Sequence, residues 1–166
     1  MSKKSLKITY GVILKGGYTI SEEDLLNDKN RANISQESDL YGYINIESDG
    51  NRIIVKDNLI PWIQNLCLEP ISILIGGDNV KISYFSSAGD LFIENDLHRI
   101  KVKDRDGSSL EADFKPFVNA LMECGVRFID KMSIIKKEDN IFMNNIVHLN
   151  IYKARAEGVL DILDFM

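Results

Sequence analysis

Two short groups of acidic and histidine residues have spacings that could support metal-dependent chemistry. Asp104 and Asp106 stand two residues apart directly after the run 100–103, and Asp96 and His98 precede that run. Carboxylates at a strand end can hold a divalent cation, with one group attacking phosphorus and its neighbour moving a proton. These four residues define one hypothesis, a small metal-dependent hydrolase whose site assembles only in the fold.

The surrounding sequence favours turns at both groups rather than a catalytic centre. Residues 104–108 follow a strand in which apolar residues alternate with lysine and arginine, which is typical of an exposed hairpin. Asp96 lies in a turn signal of its own, and His98 continues the apolar alternation of Ile100 and Val102, which predicts a partly buried histidine. We therefore predict no catalytic residue, no bound metal and no cofactor.

The other familiar catalytic signatures are missing from the sequence. The chain has two histidines, no Gly-x-Ser-x-Gly elbow and no glycine-rich phosphate-binding loop. Its two cysteines, Cys67 and Cys124, are far apart, and each lies in an apolar helical pattern. That placement predicts buried free thiols, with a single disulfide as the alternative.

Composition and charge exclude several classes of protein. The 166 residues are 45% hydrophobic and 27% charged, which is typical of a globular domain and not of disordered, collagen-like or coiled-coil chains. A net charge of −5 argues against a general nucleic-acid binder. The basic row from Arg99 to Arg105 has no interleaved aromatic residue, so we predict no nucleic-acid partner.

The sequence also lacks a recognisable targeting segment. The basic N-terminus, residues 1–7, is not followed by a long apolar core or by a cleavage site of small residues. The longest apolar run, 71–75, is far shorter than the roughly 20 residues that a membrane-spanning helix needs. We therefore expect a cytoplasmic protein with no membrane partner.

Acidic residues are concentrated between residues 21 and 50. This stretch contains eight acids against two bases, Lys29 and Arg31. A contiguous acidic surface would attract a basic protein and speed their encounter, whereas the alternative is ordinary solvated charge. Two tyrosines in the stretch are candidate aromatic anchors. The predicted partner-binding residues are Glu22, Glu23, Asp24, Glu37, Asp39, Tyr41, Tyr43, Glu47 and Asp49.

Hydrophobic periodicity and turn signals predict an α+β fold. Strands are predicted over 6–14, 41–47, 52–55, 71–75, 80–85, 91–94 and 98–103. Helices are predicted over 58–68, ended by Pro70, over 113–125, capped by Gly125, and over 154–165.

Three stretches give weaker signals. Residues 27–39 are predicted to form a surface loop, 126–135 a strand, and 141–152 either a strand or a helix. No internal repeat is visible. We expect one domain over residues 1–166, with a mostly antiparallel sheet of hairpins flanked by helices.

In its size, acidity, missing catalytic constellation and hairpin-rich α+β layout, the chain resembles small bacterial immunity proteins. The resemblance covers the whole chain, rests on no motif and transfers no residue role. Proteins of that class bind and neutralise a cognate toxin, often a basic nuclease, in toxin–immunity and contact-dependent inhibition systems. The resemblance implies a non-catalytic protein-binding module whose acidic surface covers a basic toxin domain. A subunit of a larger assembly that docks through residues 159–166 is a third interpretation, beside the hydrolase.

Overall fold

Strands with alternating burial form two antiparallel sheets in the computed structural model, which describes residues 5–164. The strands of the first sheet are β1 (Leu6–Ile13), β2 (Thr19–Ser21), β3 (Tyr41–Ser48) and β4 (Asn51–Asn58), and their spatial order is β2–β1–β3–β4. The strands of the second sheet are β5 (Val80–Ser83), β6 (Asp90–Asn95), β7 (Arg99–Lys103) and β8 (Ser109–Asp113), which lie in sequence order.

Helices connect and cover these sheets. After a short 3₁₀ turn (Glu22–Asp24) comes α1 (Asp28–Ser35). Between the sheets, α2 (Leu59–Trp62) continues through a π-helical segment (Ile63–Leu68) into α3 (Pro70–Ile75). Two long helices, α4 (Phe114–Ile135) and α5 (Asn140–Leu163), follow the second sheet.

Each sheet buries one face under helices and leaves the other face open. On β4, Ile53 and Val55 are buried, whereas Ile54 and Lys56 between and beyond them are exposed. Helix α4 lies across both sheets, while α5 packs on α3, the π-helical segment and α4 rather than on a sheet. The fold is therefore a single-domain α+β fold, as predicted, although its strands divide into two sheets.

The strand predicted over 71–75 is wrong. Pro70 stands at the first position of α3 instead of ending the preceding helix, because a proline has no N–H to lose at that position. The loop predicted over 27–39 is also wrong over most of its length, since α1 occupies its centre. The Asn27 side chain accepts a hydrogen bond from the Lys29 N–H (3.1 Å) and caps that helix.

The strand predicted over 126–135 is wrong for a different reason. Gly125 does not end α4 but lies inside it, at a close crossing with the π-helical segment. A Cβ atom on Gly125 would lie 2.7 Å from Leu68 Cδ2 and 3.3 Å from Cys67 Cβ. The glycine is therefore needed for helix approach and not for a helix cap. Cys67 and Cys124 are buried free thiols, as expected.

Two helices separated by a short turn make up residues 114–163. Residues 141–152 belong to α5, which also contains the helix predicted over 154–165 as far as Leu163. Met1 to Lys4 and Phe165 and Met166 lie outside the described residues, and so do the ends of the predictions made for 1–7 and 159–166.

Two stretches of the chain form a similar hairpin–helix unit, a similarity that the sequence alone does not make visible. In the first unit, residues 40–66, the Leu59 N–H donates to the Leu40 carbonyl at 2.9 Å. In the second unit, residues 98–121, the Phe114 N–H donates to the His98 carbonyl at 3.0 Å. In both units this bond joins the first helical residue to the residue that precedes the first strand.

Once the structure aligns the two units, their second strands and helices match at an offset of 55 residues, and their first strands at an offset of 58. The matched apolar positions are Leu59, Trp62, Ile63 and Leu66 in the first unit and Phe114, Phe117, Val118 and Leu121 in the second, and all are buried. Pro61 and Pro116 also coincide, each at the third helical position. Each sheet therefore contains a hairpin followed by a helix with the same pattern of buried residues.

Candidate protein-binding site

The first cross-strand pair on the open face distinguishes the two units. In the second unit this pair is Arg99 with Asp113, joined by an ion pair of 2.7 Å, and Arg99 also reaches Glu111 at 3.4 Å. In the first unit the equivalent pair is Tyr41 with Asn58, which is uncharged. In the second unit the charges of this pair therefore neutralise each other. In the first unit an exposed aromatic ring stands in the same place.

A groove of about 370 Å³ opens at the strand-to-helix junction of the first unit, lined by the residue before Tyr41 and by its cross-strand partner Asn58 but not by Tyr41 itself. It is lined by Ser38, Asp39, Leu40, Asn58, Ile60, Pro61, Phe142 and Asn145. Asp39 is the one ionised side chain in this lining, and within residues 5–164 its carboxylate makes no hydrogen bond or ion pair. Apolar walls with a carboxylate among them suit the alkyl stem and charged head of a lysine or an arginine.

The segment that carries Asp39 is held in place by Lys136. This lysine is 1% exposed, and its Nζ donates to the carbonyls of Ser35 and Glu37 while the Asp139 carboxylate lies 3.9 Å away. Burial lowers the pKa of Lys136, and the neighbouring carboxylates act in the opposite direction. The segment that leads to Asp39 is therefore fixed by a buried side chain.

Three of the predicted residues share the open face of β3. Tyr41 is 38% exposed, whereas Tyr43 covers Gly11 of β1, where no side chain fits under the ring. Burial and the nearby Glu22 carboxylate raise the pKa of Tyr43. Glu47 lies further along the strand, opposite basic residues on both neighbouring strands. Tyr41 is therefore the available aromatic anchor, and Tyr43 is largely structural.

The predicted acids do not gather into one patch. The Glu22 side chain is 11% exposed and forms an ion pair with Arg127 of α4 (3.1 Å). Asp39 and Asp49 lie beyond opposite ends of β3, which is eight residues long and so spans roughly 25 Å. Glu23 and Asp24 are exposed in the 3₁₀ turn, and Asp24 accepts from the Ser21 hydroxyl at 3.0 Å. The Glu37 carboxylate accepts from the Lys15 N–H at 3.3 Å.

A buried carboxylate that the sequence analysis missed lies next to the groove. Asp57 is 2% exposed and accepts hydrogen bonds from the Trp62 indole N–H (2.9 Å) and from the Asn58 N–H (2.8 Å). It also accepts from the backbone N–H groups of Phe85 and Ser86. Burial by itself raises the pKa of Asp57, but these hydrogen bonds outweigh it and hold the pKa below its ordinary value.

One signal in the sequence indicates Asp57. Residues 53, 55 and 59 are buried and apolar, and Asp57 is the one acidic residue in this alternating series. A lone acid on the buried face of a strand needs several donors, so it marks a hydrogen-bonded centre. The donors themselves cannot be found from periodicity, because two of them come from residues 28 and 29 positions further along the chain.

The residues of the hydrolase hypothesis do not converge. Asp96 and His98 lie in the β6–β7 turn, and Asp104 and Asp106 in the β7–β8 turn, at opposite ends of a five-residue strand. His98 is exposed, so the prediction of a partly buried histidine was wrong. Within residues 5–164 no group of three or more histidine, cysteine or acidic residues could hold a metal ion.

Both acidic turns use their carboxylates on their own backbone. Asp96 Oδ1 accepts from the N–H groups of His98 (2.9 Å) and Arg99 (2.8 Å). Asp104 Oδ1 accepts from the N–H groups of Asp106 and Ser108, both at 2.9 Å. These are local turn contacts, as the hairpin interpretation of 104–108 predicts.

Comparison with protein-family models, with curated proteins and with solved structures finds no match for this chain. In the part of the chain that the structure describes, no helix combines the length and apolar character needed to cross a bilayer.

Proposed function

We propose that this protein is a non-catalytic protein-binding module that neutralises a basic partner, in the manner of a toxin-immunity protein. The observation that carries the proposal is the strand-to-helix junction of the first unit, residues 38–41 with 58–61, here called the open junction. There an exposed aromatic residue, Tyr41, directly follows Asp39 and Leu40, which line a groove in which Asp39 is the one acidic side chain. The net charge of −5 favours encounter with a cationic protein.

The chemistry of the junction fits a basic side chain inserted from a partner. Asp39 would pair with its charged head, while Ile60 and Pro61 contact its alkyl stem. Tyr41 adds a rigid amphipathic surface beside it, the kind of residue that dominates interface energies. Such a module inhibits by covering the partner's functional surface and needs no chemistry of its own.

The experiment is co-purification combined with a toxicity assay. The tagged protein is mixed at low and moderate salt with lysate of the organism that encodes it, and retained proteins are identified. A retained basic protein is then expressed alone and together with the module. We expect one basic protein at a ratio near one to one, toxic alone and harmless when co-expressed.

Variants of the junction test where binding occurs. Asp39→Lys with Tyr41→Ala should reduce retention strongly, whereas Glu123→Lys, an exposed site on α4 with the same charge change, should not. Retention of no basic protein from cells that express candidate toxins would contradict the function. Equal retention by the junction variant and by the Glu123 control would contradict the placement.

A further inference from the structure

A buried charge fixes one end of the β5–β6 connection, residues 84–89, here called the clamped loop. Asp57 Oδ2 accepts from the Phe85 N–H at 2.6 Å, and Asp57 Oδ1 accepts from the Ser86 N–H at 3.2 Å. Asp57 belongs to β4, immediately before the groove residue Asn58. The clamped loop is therefore attached directly to the open junction of the first unit.

A second charge fixes the other end of the clamped loop. The Arg105 guanidinium donates to the Ser87 hydroxyl and to the Ala88 carbonyl, the latter at 2.9 Å. The same group stacks 4.1 Å above the centre of the Tyr84 ring, which in turn lies 4.9 Å from the Trp62 ring. Backbone and side-chain contacts thus hold the loop along its whole length.

The side chain that this loop presents is apolar. Phe85 is 55% exposed, although its own N–H is hydrogen bonded to a carboxylate that is 2% exposed. An exposed turn can hydrate its N–H groups with water, whereas a buried carboxylate carries a desolvation cost. A rigid loop with a projecting aromatic ring is the arrangement that lowers the entropy lost on binding.

Several charged groups lie near Tyr84, the first residue of the clamped loop. Burial raises the pKa of Tyr84, Arg105 opposes that shift, and the carboxylates of Asp104 and Asp106 raise the pKa further. The Asp57 carboxylate acts in the same direction. Asp57 is buried, but Asp106 is exposed and Asp104 half-buried, so a partner that reaches the clamped loop also meets carboxylates that a basic surface can pair with.

We propose that Phe85 is a second anchor of the same interface and that the clamped loop is preorganised to insert it into an apolar pocket of the basic partner. This inference rests on the proposed function, because the partner is the same protein. It extends the binding surface from the groove across the β4–α2 junction to the second sheet.

Site-specific photocrosslinking in cells tests the inference. A benzophenone amino acid is placed at position 85, at position 41, or at position 92, where Phe92 is 42% exposed in the middle of the second sheet's open face. Positions 85 and 41 should crosslink to one and the same basic polypeptide, and position 92 should not. A crosslink from 41 without one from 85 overturns the inference and leaves the proposed function standing. No crosslink from either overturns both.

Affinity and hydrogen exchange separate the anchor from the clamp. Phe85→Ala should weaken binding of the crosslinked partner about thirtyfold, as loss of an anchor residue does. Arg105→Ala should speed hydrogen exchange of the loop amides in the free protein and weaken binding severalfold, while Phe92→Ala changes neither. Binding by Phe85→Ala within twofold of the wild type would overturn the anchor, and unchanged exchange in Arg105→Ala would overturn the clamp.

Discussion

The two hairpin–helix units share a backbone and differ in what their side chains do with it. Both join helix to hairpin through the same hydrogen bond, 2.9 Å long in the first unit and 3.0 Å in the second. In the second unit Arg99 and Asp113 form an ion pair on the open face of the sheet, whereas the equivalent residues of the first unit, Tyr41 and Asn58, are uncharged. The comparison teaches that the open junction is a property of side chains and not of the fold.

On the buried side, the two units differ at two residues that are in contact with each other in the first unit. Asp57 accepts from the indole of Trp62 in the first unit, and the equivalent residues of the second unit are Ala112 and Phe117. A tryptophan inside a protein needs an acceptor for its N–H, and a phenylalanine needs none. The first unit therefore has a polar centre that also reaches the clamped loop, while the second has an apolar centre.

Substitutions at Asp57 and at its counterpart Ala112 should change the free energy of unfolding most. Asp57→Ala leaves the Trp62 N–H and the backbone N–H groups of Asn58, Phe85 and Ser86 without their acceptor. The substitution should lower the free energy of unfolding by about 3–5 kcal/mol, because each buried unsatisfied donor costs on the order of 1–3 kcal/mol. Ala112→Asp buries a carboxylate with no tryptophan to donate to it and should lower it by about 3 kcal/mol or more. Urea unfolding measures both.

A matched control sharpens this expectation. Combining Asp57→Ala with Trp62→Phe copies the second unit's centre and should lose less stability than the two single variants added together. Additive losses would show that the two side chains act independently and would contradict the matched exchange.

The next largest effect concerns close strand approach. Gly42 of β3 occupies the position that Ile100 has in the second unit, and a Cβ on Gly42 would lie 2.7 Å from Leu59 Cδ1 and collide with the Gly11 carbonyl. Gly42→Ala should therefore cost about 2 kcal/mol by overpacking.

The control for this variant is the same substitution on α5. Around Gly158 a Cβ would meet nothing within 4 Å. Gly158→Ala should stabilise the protein by about 0.5–1 kcal/mol, because alanine favours a helix interior. Thermal unfolding of both variants should shift in opposite directions, and equal shifts would contradict the close approach at Gly42.

Acidification should lower the free energy of unfolding of the protein through protonation of Asp57. The folded-state pKa of Asp57 lies below its ordinary value, so the folded protein binds fewer protons there than the unfolded chain does. The stability that the ionised Asp57 contributes is fully present above its unfolded-state pKa of about 3.9. It is lost as the pH falls through the folded-state pKa. Asp57→Asn should flatten the acid limb of the stability profile measured by urea unfolding. An unchanged limb would contradict the shift.

The sequence predicts the β3–β4 hairpin and the apolar stripe of α4 because burial there follows a simple period, whereas the hairpin predicted from 71–75 and 80–85 is wrong. It fails where a local signal has a tertiary meaning: Pro70 begins a helix, and Gly125 permits a helix crossing. For the site, Asp39 and Tyr41 were among the predicted residues, since they are acidic or aromatic in a polar stretch. Asp57 was missed because its donors come from distant parts of the chain.

The measurement that tests the central claim most directly is partner binding by a protein whose first unit is closed like the second. Tyr41→Arg with Asn58→Asp places the Arg99–Asp113 type of pair at the first junction, on the open face and next to Asp39. We predict an unchanged unfolding midpoint and at least a tenfold loss of affinity for the basic partner by calorimetric titration. Wild-type affinity in this folded variant would contradict the account.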